Sequence, residues 1–169
     1  MSKNELVIVV DHQDNILGFK PRHLLEHNDR YRSTSIWIEN SNGDILLAKR
    51  HPSKQHYPNL WGPAASGTVG HHETYSANAH KELQEELGIA QLPLIEIKRG
   101  AIDHIDGSQR FSVWYMGLLD LPISSLSPHP DEITEVRWVT KNKLLDELYA
   151  QSDSFIPSSV YWAKLFLGQ

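Results

Sequence analysis

An α/β fold, a mixed β-sheet enclosed by helices, is what the order of apolar segments along this chain predicts. Three observations carry it. Short runs rich in β-branched and aromatic residues, each bounded by turn formers, open the chain and return after residue 94. A strongly helical segment, starting at Thr74 or Ser76 and stopped by Gly88, separates the two groups. Two further helix-like segments close the chain. Strands on either side of a helix share one sheet most economically, and the helices then cover its faces.

Taken in order, Leu6 to Val10 and Ile16 to Phe19 flank the polar stretch Asp11-His12-Gln13-Asp14-Asn15, which reads as a hairpin. Pro21 to Leu25 reads as the start of a short helix, because proline presets the backbone of a first turn. Ser33 to Glu39 and Ile45 to Lys49 flank Asn40-Ser41-Asn42-Gly43-Asp44, and the Asn-Gly pair at its tip predicts a second hairpin. Gly67 and Gly70 predict a tight loop whose backbone carbonyl can approach a ligand. The helix after it has Thr74 or Ser76 as its cap, Ala77, Ala79, Leu83 and Leu87 as its apolar residues, and Gly88 as its stop. Leu94 to Ile102, Arg110 to Leu119 and Glu135 to Val139 read as strands, and Lys141 to Gln151 as a helix. Pro157 to Leu167 closes the chain as a helix whose Val160, Ala163, Leu165 and Phe166 face the core. Trp37, Trp61, Trp114 and Trp138 read as core or pocket wall rather than as a base-stacking platform.

At 169 residues the chain fits one domain, residues 1–169, with a core large enough to need no disulfide or structural metal. It has no cysteine, which excludes disulfides, thiolate zinc sites and a cysteine nucleophile. A formal net charge of −5 argues against a nucleic-acid or anionic-membrane partner. The apolar run Leu6 to Val10 is cut short by Asp11, so it reads as neither a signal peptide nor a membrane span. The expectation is a cytoplasmic protein, with a homodimer left open. The ten histidines are scattered and carry no metal-site pattern, His71-His72 included.

Chemistry concentrates in the helix. Glu82, Glu85 and Glu86 are spaced i, i+3 and i+4, so they share one helical face one turn apart. Like charges at that spacing oppose the helix, whereas a divalent cation wants several hard oxygens in a small volume. Alone, such a triplet is most often a solvated acidic face. The wider pattern is more specific: Gly67, five residues, Glu73, seven residues, Lys81-Glu82-Leu83, one residue, Glu85-Glu86, one residue, Gly88-Ile89. It closely resembles the signature of the Nudix hydrolases, which carry arginine where this chain has Lys81. The family's arginine braces the glutamate that here is Glu73, and lysine keeps the charge but loses the two-pronged donor.

The resemblance implies a Nudix-type α/β/α sandwich with a central mixed sheet. It implies Mg2+ or Mn2+ held by Gly67, Glu82, Glu85 and Glu86, with Glu73 and Lys81 as a structural brace. It also implies hydrolysis of a small-molecule diphosphate by water attacking phosphorus. Glu82 and Glu85 are the catalytic candidates on the helix, and Glu132 is the candidate carboxylate outside it, with Asp131 and Glu135 as alternatives. Between Val9 and Trp61 the chain is also similar to the branch containing type 1 isopentenyl-diphosphate isomerases and their hydrolase relatives, through Ser35-Ile36-Trp37-Ile38, Leu46 to Arg50, Ser53-Lys54 and Pro58 to Trp61. In that branch Arg50 and Lys54 match cations that hold the diphosphate, and Arg22 is a third candidate. The isomerase itself is the alternative activity, yet its catalytic cysteine and histidine are replaced by Ser66 and Thr68, and the glutamates it places on the strand Gln109 to Val113 are missing. A non-catalytic ligand sensor is the other alternative, against which the intact glutamates speak. The identity of the group attached to the diphosphate is not encoded in these motifs.

Overall fold

In the computed structural model, residues 5–104 and 107–168 are described, and of Val160 the backbone alone, so its expected core contact lies outside the described part. Leu6–Val10 (β1) and Ile16–Pro21 (β2) form the first hairpin, with Leu6 opposite Pro21. Its turn is made by Asp11, whose carboxylate accepts the N–H groups of Gln13 at 2.8 Å and Asn15 at 2.9 Å. The helix expected from Pro21 is one 3-10 turn, Arg22–Leu24, because Leu25 returns to extended backbone with ψ at 133°.

Arg30–Glu39 (β3) is the axis of the sheet. Along one edge it runs parallel to Gln109–Leu118 (β8), from Arg30 beside Gln109 to Glu39 beside Leu118. It also pairs antiparallel with β1 at Val9 and Val10 and with Ala65–Thr68 (β6). A strand has two hydrogen-bonding edges. That fact corrects the second hairpin: β3 and Ile45–Arg50 (β4) share a single pair, Glu39 with Ile45, and then diverge. Strand β4 instead pairs with Trp61–Gly62 (β5) and Ile133–Val139 (β9), while Ile95–Asp103 (β7) pairs with β8. The turn at 40–44 forms as expected, with Asn40 Oδ1 accepting from Asn42 and Asp44 and with Gly43 at φ +78°.

Alternation along the strands splits the core into two layers. Ile36, Ile38, Leu46, Ala48 and Val113 pack on Ala79, Leu83 and Leu87 of Tyr75–Leu87 (α1). Trp37, Ile45, Leu47 and Trp114 point the other way, toward Leu144 of Lys141–Ala150 (α2) and Trp162 of Ser159–Leu167 (α3). The Trp37 ring stacks on Phe166 with centroids 4.6 Å apart. The result is an α/β/α sandwich whose sheet opens where β3 and β4 part.

Candidate active site

The acidic helix starts and stops on the residues its sequence suggested. Thr74 Oγ1 accepts the N–H of Ala77 at 3.1 Å, so Thr74, not Ser76, is the cap. Gly88 takes φ +71°, and the Ile89 N–H reaches back to Leu83 O at 3.1 Å, closing the C-terminus. Between these ends Glu82 and Glu86 are 2% and 8% exposed, whereas Glu85 is exposed.

Gly67 corrects the loop reading. It lies inside strand β6, opposite Thr34, and is absent from the glycines with positive φ. Close approach, not turning, is why glycine is needed: a Cβ here would run into the carboxylate of Glu82. Next to it, the Ser66 N–H points to Glu86 Oε2 at 3.4 Å. Burial, then repulsion from Glu86, pushes Glu82 up to about 8. Burial pushes Glu86 up to about 7 against the opposing pull of Arg50 and Lys54.

The loop between β6 and α1 is tied to the helix by Glu73. Its Oε1 is 2.7 Å from Lys81 Nζ, and its Oε2 accepts the Gly70 N–H and Asn78 Nδ2, each at 2.9 Å. Asn78 went unnoticed in the sequence. Fully buried, it also donates to Thr68 O at 3.0 Å and Glu82 Oε1 at 3.3 Å, and it accepts from Thr34 Oγ1 at 2.5 Å. Two amide protons are thus shared among three acceptors. Its signal was positional: Asn78 stands one turn before Glu82, on the apolar side of an amphipathic helix where a polar residue needs partners.

Across the cleft stand the cations. Arg50 ends β4, and its Nε donates to His56 O at 3.0 Å. Lys54 lies in the following loop and is ion-paired with Glu132. Burial holds both Arg50 and Lys54 below their ordinary values, with the charge of Glu86 opposing and that of Arg22 reinforcing the shift. Arg22, in its 3-10 turn, is close enough for its charge to act on both. The loop bearing Glu132 is docked onto the end of α1, through Ser127 N–H to Leu87 O at 3.0 Å and His129 N–H to Glu86 O at 2.9 Å. Its strand-side end is fixed by the His51 N–H on Glu132 O at 2.9 Å. Asp131 is exposed, and Glu135 Oε2 is 3.9 Å from Lys49 Nζ. The cleft between the two sets is lined by Arg50, Ser66, Glu86, Gly62, Pro63 and Ile133, among others.

The donors suit a hard divalent cation in type: carboxylate oxygens, two of them buried against each other beside a glycine that yields its space. As they stand, no three acidic or imidazole side chains among the described residues converge on one point. Glu85, the third acid expected on this face, is exposed. The His71 and His72 rings lie 3.4 Å apart beneath Phe19 at the β2 edge. No described helix is long and apolar enough to cross a membrane.

A helix carrying acids against an α/β/α sandwich, faced by half-buried cations, defines a class of site with charges of both signs across one cleft. Comparison with known sequences makes that class specific: the NUDIX domain family matches residues 29–158, and the chain belongs to it. An uncharacterized Nudix hydrolase of Pseudomonas aeruginosa is 35% identical over 167 residues, 98% of this chain and 95% of that one. YfcD of Escherichia coli, also an uncharacterized Nudix hydrolase, is 28% identical over 161 residues, 95% and 85% of the two chains. Among solved structures, DR0079 from Deinococcus radiodurans superposes with a TM-score of 0.81 at 21% identity, covering 96% of this chain and 99% of that one. The Nudix domain of Shewanella oneidensis NrtR, in complex with ADP ribose, gives 0.65 at 13% identity over 88% and 92%. These two establish likeness of fold.

Proposed function

We propose that this chain hydrolyses a diphosphate linkage in a nucleoside diphosphate derivative or other organic diphosphate, using Mg2+ or Mn2+. The observation that carries the reading is the pairing of buried acids with half-buried cations across one cleft: Glu82 and Glu86 on α1, Arg50 and Lys54 opposite. Anionic phosphate repels an oxygen nucleophile, so its charge must be neutralised before water can attack. Glu82, Glu85, Glu86 and the Gly67 carbonyl would hold the metal, which when bound supplies charge neutralisation and a more acidic water.

The protein's own residues do the rest. Arg50 offers a flat fork of donors to phosphate oxygens, and Lys54 and Arg22 add charge beside it. Ser66, through its N–H, orients Glu86. Glu132 is the candidate to accept the proton of the attacking water, and its ion pair with Lys54 must open as phosphate takes Lys54 over. The brace of Glu73, Lys81 and Asn78 fixes β6 against α1, so that Gly67 and Glu82 stay in contact.

The test is a phosphate-release screen over nucleotide, nucleotide-sugar, dinucleoside-polyphosphate and isoprenoid substrates with Mg2+ or Mn2+. We expect metal-dependent release that Glu85→Gln lowers by at least about 100-fold, the upper end of what loss of a metal-supporting group costs. Undiminished turnover in that variant would remove Glu85 from the mechanism.

A further inference from the structure

Arg50, Ser66 and Glu86 make the polar end of the cleft. The rest of its lining is Ala48, Gly62, Pro63, Ile133 and Ile156, whose side chains hold no hydrogen-bonding atom. Ala48, Gly62 and Ile133 belong to β4, β5 and β9. Ile156 does not belong to the sheet's named strands: it reaches the cleft from the C-terminal segment between α2 and α3.

The backbone fixes it there. Phe155 forms a parallel bridge with Trp61, and the Ile156 N–H donates to Trp61 O at 2.9 Å, so the segment adds itself to β5. The Ile156 carbonyl in turn accepts the Ser159 N–H at 2.9 Å, at the start of α3. Neighbouring residues of an extended segment face opposite ways, and Phe155 is extended, with φ −118° and ψ 152°. Phe155 is buried in the aromatic layer, its ring edge-on to Trp162 with centroids 6.4 Å apart, and Ile156 is thereby turned to the cleft. Its β-branched side chain has few rotamers to choose from. A β-carbon on Gly62 would stand 3.3 Å from Ile156 Cδ1, so this side chain lies over the glycine in room that a larger residue at 62 would take.

From this geometry we infer that Ile156 is a specificity-determining residue, the fixed stop that limits the bulk of the organic group carried by the diphosphate. A group entering beside it meets hydrocarbon side chains, so fit and not side-chain hydrogen bonding does the selecting. A methylene that finds room gains about 4-fold in affinity, and one that meets a held side chain gains nothing or loses. This role rests on the diphosphate site proposed above, and it is read from binding instead of turnover. The probes are methylenediphosphonate and its methyl and cyclohexyl monoesters, in which carbon replaces the bridging oxygen so that the link between the phosphorus atoms cannot be hydrolysed. Their binding is measured by calorimetry with Mg2+ present.

Ile156→Ala should raise the affinity for the cyclohexyl ester relative to the methyl ester by at least about 4-fold, the worth of one newly accommodated methylene, and shift unsubstituted methylenediphosphonate by less than about 2-fold. Ile156→Val, which removes only the methyl nearest Gly62, should give a smaller change of the same sign and guards against a variant that does not fold. Gly62→Ala should lower the cyclohexyl preference, and combined with Ile156→Ala it should restore the parent's ratio to within about 2-fold, because the added methyl occupies the vacated space. An unchanged ratio in both Ile156 variants, or equal weakening of all three probes, overturns the inference. A selective loss of the cyclohexyl ester overturns it too, since the ring would then pack on Ile156 instead of being kept out by it. A parent that binds none of the probes overturns it together with the diphosphate site. The expected shifts without hydrolysis of any organic diphosphate in the phosphate-release screen would overturn the proposed function and leave the role of Ile156 standing.

Discussion

The two faces of the sheet are built from different chemistry. Toward α2 and α3 the buried side chains are mostly large and aromatic, with Trp37, Trp114, Phe155 and Trp162 in one cluster. Toward α1 the aliphatic core borders Thr34, Asn78, Glu82 and Glu86, all buried and two of them acids. Burying a carboxylate without a matching charge is unfavourable, and placing two one turn apart is worse. The acidic face is therefore maintained at a cost in stability, and the aromatic face is where the fold recovers it. Function and stability are divided between opposite surfaces of one sheet.

If that division holds, damage to the aromatic side should be the largest effect on stability. Trp37 is fully buried, stacked on Phe166, and donates from its indole to Glu39 Oε1 at 3.0 Å. Trp37→Ala should cost about 3–5 kcal/mol, read from the midpoint and slope of urea unfolding. A loss below about 1 kcal/mol would mean this face is loosely packed and the comparison unsound.

On the other face the sign reverses. The Glu82 carboxyl is raised from its ordinary 4.5 to about 8, so over that span the folded state keeps a proton that the unfolded chain has released. Stability of the metal-free protein should accordingly fall as pH rises from about 5 to 8 and level off above, the opposite of an acid in a favourable ion pair. Glu82→Gln keeps an acceptor for Asn78 and removes the charge. It should raise metal-free stability at pH 8 by on the order of 2 kcal/mol and flatten the pH dependence of the melting temperature. Mg2+ should stabilise the parent more at pH 8 than at pH 6 and leave the variant nearly unaffected, because binding requires the ionised carboxylate. A parent that becomes more stable between pH 5 and 8 without metal would contradict the account.

How far this contrast could be read in advance depended on the length scale of the signal. Helix α1 was legible to the residue at its Gly88 stop and to one of two candidates, Thr74 or Ser76, at its start because caps are local chemistry, and β7, β8, β9 and α2 fell within a few residues of their runs of apolar and β-branched residues. Strands β5 and β6 were not, since two and four residues leave no period to detect and Ala65-Ser66-Gly67-Thr68 is poor in strand formers. The divergence of β3 from β4 was hidden for another reason. It is set by pairings remote in sequence: β6 takes Ser33 to Ile36 on the edge of β3 that faces β4, and β8, nearly eighty residues on, fills the other edge. Glu82, Glu85 and Glu86, by contrast, announced themselves because one helix brings them together.

The smallest effect concerns Lys81, where the family's usual arginine is absent. A guanidinium would seem to offer Glu73 a second prong. Yet Glu73 Oε2 already accepts two donors, the Gly70 N–H and Asn78 Nδ2, and only Oε1 remains for residue 81. A single ammonium fits that vacancy, and Asn78 supplies the donor that an arginine fork would otherwise bring. Lys81→Arg alone should therefore change stability by less than about 0.5 kcal/mol, a shift of about 1–2 °C in melting temperature for a chain of this size. In an Asn78→Ala background the same substitution should become favourable, because Oε2 is then free to take the second prong, and the double-mutant cycle should return a coupling of about 0.5–1 kcal/mol. Strict additivity would show that Asn78 and residue 81 do not compete for Glu73. The acidic face would then rest on two independent ties between β6 and α1 instead of one shared carboxylate.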